Sequence, residues 1–163
     1  MMLGSPATRG LTIDELTNDP ALNPRTFAGR FRDFEYSYQA QVQPPSVFLS
    51  KRAGDCDDYA TLAAEVLNAR GFTARLIAVR MPTSVHVVCY IEESKAYLDY
   101  NRRTLGNGLV ESTGSMSEIA DKVAISFNSS WSAVSEFTYR AGSKRLLRMA
   151  SRSKPIKPKA TVS

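Results

Sequence analysis

The stretch AGDCDDYATLAAEVLNARGF, residues 53–72, governs how the rest of the chain is read. From Asp57 onward, Tyr59, Leu62, Ala63, Val66 and Leu67 recur at three- and four-residue spacings, and Gly71 stands where a helix C-terminal cap belongs. At the start of this helix three acids, Asp55, Asp57 and Asp58, crowd one of the chain's two cysteines. Acidic neighbours oppose a thiolate, so the acids need another reason to be there. A helix start supplies it: Asp55 and Asp57 can cap free N–H groups and Asp58 suits the first turn, with no need for any of them to face the sulfur. The unpaired amides and the positive end of the dipole then face Cys56, which favours its thiolate.

Downstream, residues 72–80 (FTARLIAVR) are apolar and β-branched enough for a strand. MPTS (81–84) reads as a turn, and VHVVCYIE (85–92) and AYLDY (96–100) as two further strands. Residues 104–115 read as loop and 115–124 as a short helix capped by Ser115 or Ser117. Residues 131–140 read as a closing strand with Trp131, Ala133, Ser135, Phe137 and Tyr139 on one face. Upstream, Thr12 and Glu15 have capping-box spacing, with Pro20 and Pro24 as stops. Phe27, Phe31 and Phe34 form the stripe of another short helix, and QPPSV (43–47) breaks regular structure. Helices first, then one strong helix and an antiparallel run of strands, make an α+β pattern rather than a parallel alternation.

At 163 residues and 43% hydrophobic content, one domain with its own core is the expectation. Two cysteines make no disulfide framework, which favours a reducing compartment. The N-terminus MMLGSPATRG has no apolar signal run, and no run approaches the ~20 residues needed to span a bilayer. The sequence as given reads as cytoplasmic, or exported if a signal was trimmed from it. The formal charge of +5 belongs to residues 141–163, which carry seven Lys or Arg and no acid, leaving 14 basic against 16 acidic residues in 1–140. We therefore divide the chain into a domain, 1–140, and a basic tail, 141–163, expected to be largely disordered. The tail can touch an anionic surface, but without interleaved aromatic residues it argues against nucleic acid.

His86 is the chain's one histidine, which excludes a zinc site built on several imidazoles. Strand alternation puts His86, Val88 and Tyr90 on one face and Val87, Cys89 and Ile91 on the other, so Cys89 reads as a core residue. If Glu92 pairs with Lys95 across a two-residue loop, Val88 lies opposite Asp99, and Asp99 falls on the histidine's face as a diagonal neighbour. Any even loop length preserves this parity. Each residue has a plainer reading alone: a buried cysteine, a satisfied core histidine, an aspartate ending a strand. Together Cys56, His86 and Asp99 make a nucleophile, a base and a carboxylate that orients the base.

Residues 53–79, with PSVFLSKRAGDCDDYA (45–60) at their start, resemble the nucleophile segment of the transglutaminase-like superfamily. The order and spacing of Cys56, His86 and Asp99 are most similar to the bacterial transglutaminase-like cysteine proteinases. The resemblance implies a papain-like core, with N-terminal helices packed on an antiparallel sheet and the site between them. It implies a cysteine peptidase, or hydrolase, that cleaves a peptide or isopeptide amide of a protein or peptide substrate through a thioester. The oxyanion donor would be the thiol's own N–H and an upstream side chain, for which Gln39, Gln41 and Gln43 are the candidates. No cofactor is required, although some relatives bind calcium through carboxylates at the positions of Asp55 and Asp57. Acyl transfer to an amine, by a transglutaminase or amidase, uses the same triad, and a non-catalytic peptide-binding module anchored by the tail is the reading from another class.

Overall fold

The computed structural model describes residues 11–152. Helix α1 (Ile13–Thr17) starts at Thr12, whose side chain accepts from the Glu15 amide. Two of the prolines begin helices instead of ending them: Pro24 opens α2 (Pro24–Gly29) and Pro45 opens α3 (Pro45–Lys51). A first-turn N–H has no intrahelical partner to lose and proline's fixed φ already suits the helix, which is why the expected break at 43–47 is a helix start. The phenylalanine stripe is not one helix either. Phe31 and Phe34 follow α2 in a turn, yet Phe27, Phe31 and Phe34 are all buried, with Phe31 centred 4.8 Å from Phe27 and 4.7 Å from Phe34. Tyr59, fully buried on the next helix, packs 5.2 Å from Phe31 and ties this N-terminal layer to it.

Two two-residue strands, β1 (Glu35–Tyr36) and β2 (Ala53–Gly54), pair in parallel just before α4 (Cys56–Ala69). The chain then forms β3 (Ala74–Arg80), β4 (Val85–Ile91), β5 (Ala96–Leu98), β6 (Leu109–Glu111), α5 (Met116–Ser126), β7 (Ala133–Arg140) and β8 (Ser143–Ser151). Six of these strands make one antiparallel sheet in the order β6-β5-β4-β3-β7-β8. The fold is α+β, as expected. Leu76, Ala78, Val87, Cys89 and Ile91 face the layer of α4 and the N-terminal helices, while Ile77, Val79, Val88 and Tyr90 face α5.

The β4–β5 connection has four residues, with a 3-10 turn at Glu92–Ser94 and Lys95 at φ 47°, rather than two. Its even length leaves the pairing unchanged, with Cys89 opposite Leu98 and Tyr90 opposite Tyr97. Strand β6 lies inside the segment expected as loop, on the edge beside β5. Trp131 precedes β7 and does not share Phe137's face; its indole N–H donates to Asp121 Oδ1 at 2.7 Å, which holds it against α5.

The division at residue 141 also changes. Residues 143–151 are strand β8, paired with β7 along its length. Backbone pairing needs no apolar composition, so a basic segment can be a strand where a neighbouring edge is free. Some of its cations are bound by the domain itself: Arg148 Nε lies 3.1 Å from Glu136 and the Lys144 ammonium 4.4 Å from the Phe137 ring centre. The rest of the tail, 153–163, lies outside the described residues. Among the described residues, no helix is long and apolar enough to cross a membrane.

Candidate active site

The start of α4 is built as a reciprocal cap. Asp55 accepts from the Asp58 amide, and the Asp58 side chain accepts from the Asp55 amide at 3.0 Å. Asp58 also takes the Gln43 amide at 2.6 Å and Gln43 Nε2 at 2.9 Å, while Asp55 Oδ2 takes the Gln39 amide at 2.9 Å. Asp55 and Asp58 thus hold residues 39–43 against the helix start. Burial raises the Asp55 carboxyl to about 6 against the opposing N–H of Gln39.

Gly54 makes this close packing possible. A Cβ there would lie 2.5 Å from Asp58 Oδ2, 2.6 Å from Phe48 Cδ1 and 2.8 Å from Gln43 Nε2. Gly54→Ala is expected to destabilise the fold by about 3 kcal/mol, because buried neighbours on three sides must move. Urea unfolding followed by circular dichroism measures the loss, and an unchanged midpoint would refute the packing argument.

Asp57 departs from its expected capping role. The Cys56 thiol donates to Asp57 Oδ1 at 3.6 Å, so this carboxylate does face the sulfur. The expected thiolate is reversed with it: burial, then the Asp57 charge, pushes the Cys56 thiol up to about 12, against the opposing Val87 amide. Asp57 itself is raised by burial. Helix-start amides favour a thiolate, but removal from water and an adjacent carboxylate outweigh them here. Asp57→Asn should therefore speed iodoacetamide alkylation of Cys56 at pH 8, since each unit by which the thiol pKa falls raises the thiolate fraction about tenfold. Peptide mapping reads the label, and a slower or unchanged rate would contradict the assignment.

His86 stands near the start of β4 opposite Val79. Its Nε2 lies 2.8 Å from Asp99 Oδ1 in a pair whose residues are only 4% and 1% exposed. A carboxylate only accepts, so Nε2 carries the proton of this bond and Nδ1 is left as an acceptor. Asp99 is fixed in turn by the Asn101 amide at 2.9 Å. The Phe127 ring meets the imidazole edge-on at 4.8 Å. Cys56 and His86 line one cavity of about 100 Å³, together with Tyr36, Ser84, Val85, Asn101 and Phe127. Cys89 is fully buried in the α4-side core, where burial raises its thiol.

Gln39, Gln41 and Gln43 are not among the residues lining that cavity. Gln39 Nε2 turns to Ser37, Gln43 Nε2 to Asp58 and Ala53, and Gln41 borders a separate groove. Tyr36 lines it instead. The parallel bridge of Tyr36 to Gly54 places it two residues from Cys56 across the β1–β2 pair, where partial burial raises its phenol although the residue is largely exposed. Nothing in the periodicity marks Tyr36, since strands of two residues carry no pattern; its one signal is an aromatic residue upstream of the thiol.

A model of the transglutaminase-like superfamily matches residues 13–137. The chain belongs to the transglutaminase-like superfamily. Among solved structures, it is similar to calcium-bound LapG of Legionella pneumophila, with a TM-score of 0.51 and 16% identity over 88% of this chain and 80% of that one. A candidate cysteine protease of Cytophaga hutchinsonii matches with a TM-score of 0.39 and 21% identity over 82% of this chain and 46% of that one. Among curated proteins, none matches.

Asp55 and Asp57 are the carboxylates at which the sequence allowed calcium. Both oxygens of Asp55 already accept backbone N–H groups, and Asp57 faces the thiol. Among the described residues, no three His, Cys, Asp or Glu side chains gather as a metal group. Calcium wants six to eight oxygens, so this donor set falls short.

Proposed function

We propose that this chain is a cysteine hydrolase acting on a peptide or isopeptide amide, with Cys56 as nucleophile, His86 as base and Asp99 orienting the base. The observation that carries this reading is the buried His86–Asp99 bond of 2.8 Å at the wall of the cavity that also holds the Cys56 thiol. A carboxylate that fixes the tautomer leaves Nδ1 free to take a proton.

Because the resting thiol is held protonated, proton transfer accompanies attack and no preformed ion pair is needed. The S–H proton passes to His86 Nδ1 as the sulfur bonds to the carbonyl carbon, and the C=O pair moves onto oxygen. The Cys56 N–H at the helix start and the Tyr36 hydroxyl are the donors we assign to that oxyanion. The intermediate collapses by breaking C–N, and His86 gives its proton to the leaving amine. Water, deprotonated by His86, then splits the thioester and restores the thiol. An amine in place of water gives transamidation with the same groups.

The raised thiol and the adjacent Asp57 favour the second reading, a peptide-binding module without turnover. A profile of peptide and amine substrates with Cys56→Ala as the blank separates the readings. Release of free carboxylate identifies the hydrolase and amide exchange the transferase, while no turnover above the blank would sink both in favour of the module.

A further inference from the structure

A groove of about 1460 Å³ runs beside α4, separate from the small cavity that holds the thiol. One wall is the helix face bearing Asp57 and Glu65, the floor includes Leu76 and Phe137, and Gln43 stands in the opposite loop. The 14 residues of α4 span about 21 Å, the length of roughly six residues of extended chain. One end of the groove reaches the site, because Asp57 belongs to its wall and lies 3.6 Å from the Cys56 sulfur.

Three observations specify an occupant. The α4 wall is acidic through Asp57 and Glu65, while Arg140, the cation among the lining residues, sits at the β7–β8 turn away from Cys56. The floor already takes an ammonium: Lys144 Nζ lies 4.4 Å from the Phe137 ring centre, and its charge reaches Asp57. Gln43 is 8% exposed and its amide is fixed through Nε2 by Asp58 and Ala53, leaving Oε1 without a partner among the described residues. An unpaired buried acceptor is costly, and a backbone N–H of a passing strand is the donor it lacks.

We propose that this groove receives an extended segment of the protein substrate that carries a lysine or arginine, with the cationic head on the acidic α4 wall between Asp57 and Glu65. The inference rests on the hydrolase reading for the word substrate, but the binding it describes is independent of turnover. A cation beside Asp57 would offset the charge that opposes the Cys56 thiolate, so the substrate's own side chain would assist the proton transfer.

Fluorescence anisotropy of the full chain carrying Cys56→Ala tests this with a fluorescein-labelled decapeptide of leucine and serine bearing one central lysine, and with its glutamate counterpart. The lysine peptide is expected to bind about fivefold tighter or more, and adding Glu65→Lys to remove that preference, as one partly screened ion pair on the α4 wall implies. Glu111→Lys, a reversal on the opposite edge strand β6, should leave it intact. Equal binding of the two peptides, binding of neither, or indifference to Glu65→Lys would overturn the proposal. Charge-selective binding without turnover by the unmodified chain sinks the hydrolase reading and leaves the groove standing; turnover without charge preference does the reverse.

Discussion

Cys56→Ala is expected to lower amide hydrolysis by about 10⁴- to 10⁶-fold, to the level left by binding and oxyanion contacts alone. The chain's other thiol cannot take over, because Cys89 is fully buried on the α4-side face of the sheet and absent from the residues lining the cavity with His86. The substitution should spare the fold. Cys56 is the first residue of α4, a position whose N–H is not bonded within the helix, and the cap is made by Asp55 and Asp58 rather than by the thiol. Hydrolysis of a peptide library followed by mass spectrometry reads the activity, and circular dichroism reads the fold. Retained hydrolysis in a folded variant would remove Cys56 from the chemistry.

His86→Ala is expected to cost about 10²- to 10⁴-fold, the range of a lost general base. Its pH dependence is the more telling readout. With the thiol held up at about 12, residual activity without a base should climb with pH, about tenfold per unit, for as long as the thiolate remains the minor form. The variant also leaves Asp99, 1% exposed, with only the Asn101 amide, so some stability is lost with the activity. Asp99→Asn separates the two effects, since an amide oxygen still accepts from His86 and Asn101 while the charge that stabilises the imidazolium is gone. A His86→Ala activity that stayed flat between pH 7 and 10 would count against proton transfer from a neutral thiol.

The parts of the fold that were legible in the sequence are those set by local periodicity. The apolar spacing of Tyr59, Leu62, Ala63, Val66 and Leu67 corresponds to α4, and strand parity placed Asp99 within reach of His86 even though the connecting turn has four residues. What was hidden depends on tertiary contacts. Two-residue strands such as β1 and β2 have no period, so the position of Tyr36 beside Cys56 could not be read. The thiol's burial comes from tertiary packing, with Val87 of β4 brought to Cys56, and together with the adjacent Asp57 it turned an expected thiolate into a protonated thiol. Gln39, Gln41 and Gln43 lie upstream as expected of an oxyanion donor, but the bonds of Asp55 and Asp58 tie down the 39–43 segment, and none of the three lines the cavity of Cys56 and His86. Strand β8 follows from a free sheet edge, which its basic composition does not disclose.

Intact-protein mass spectrometry after rapid mixing with an activated peptide ester tests the central claim most directly. One acyl group should appear on the unmodified chain faster than it is hydrolysed, map to Cys56, be released by hydroxylamine as a thioester, and form far more slowly in His86→Ala. Acylation at Cys89, or product release by the unmodified chain with no adduct at Cys56 on any timescale, would contradict the account.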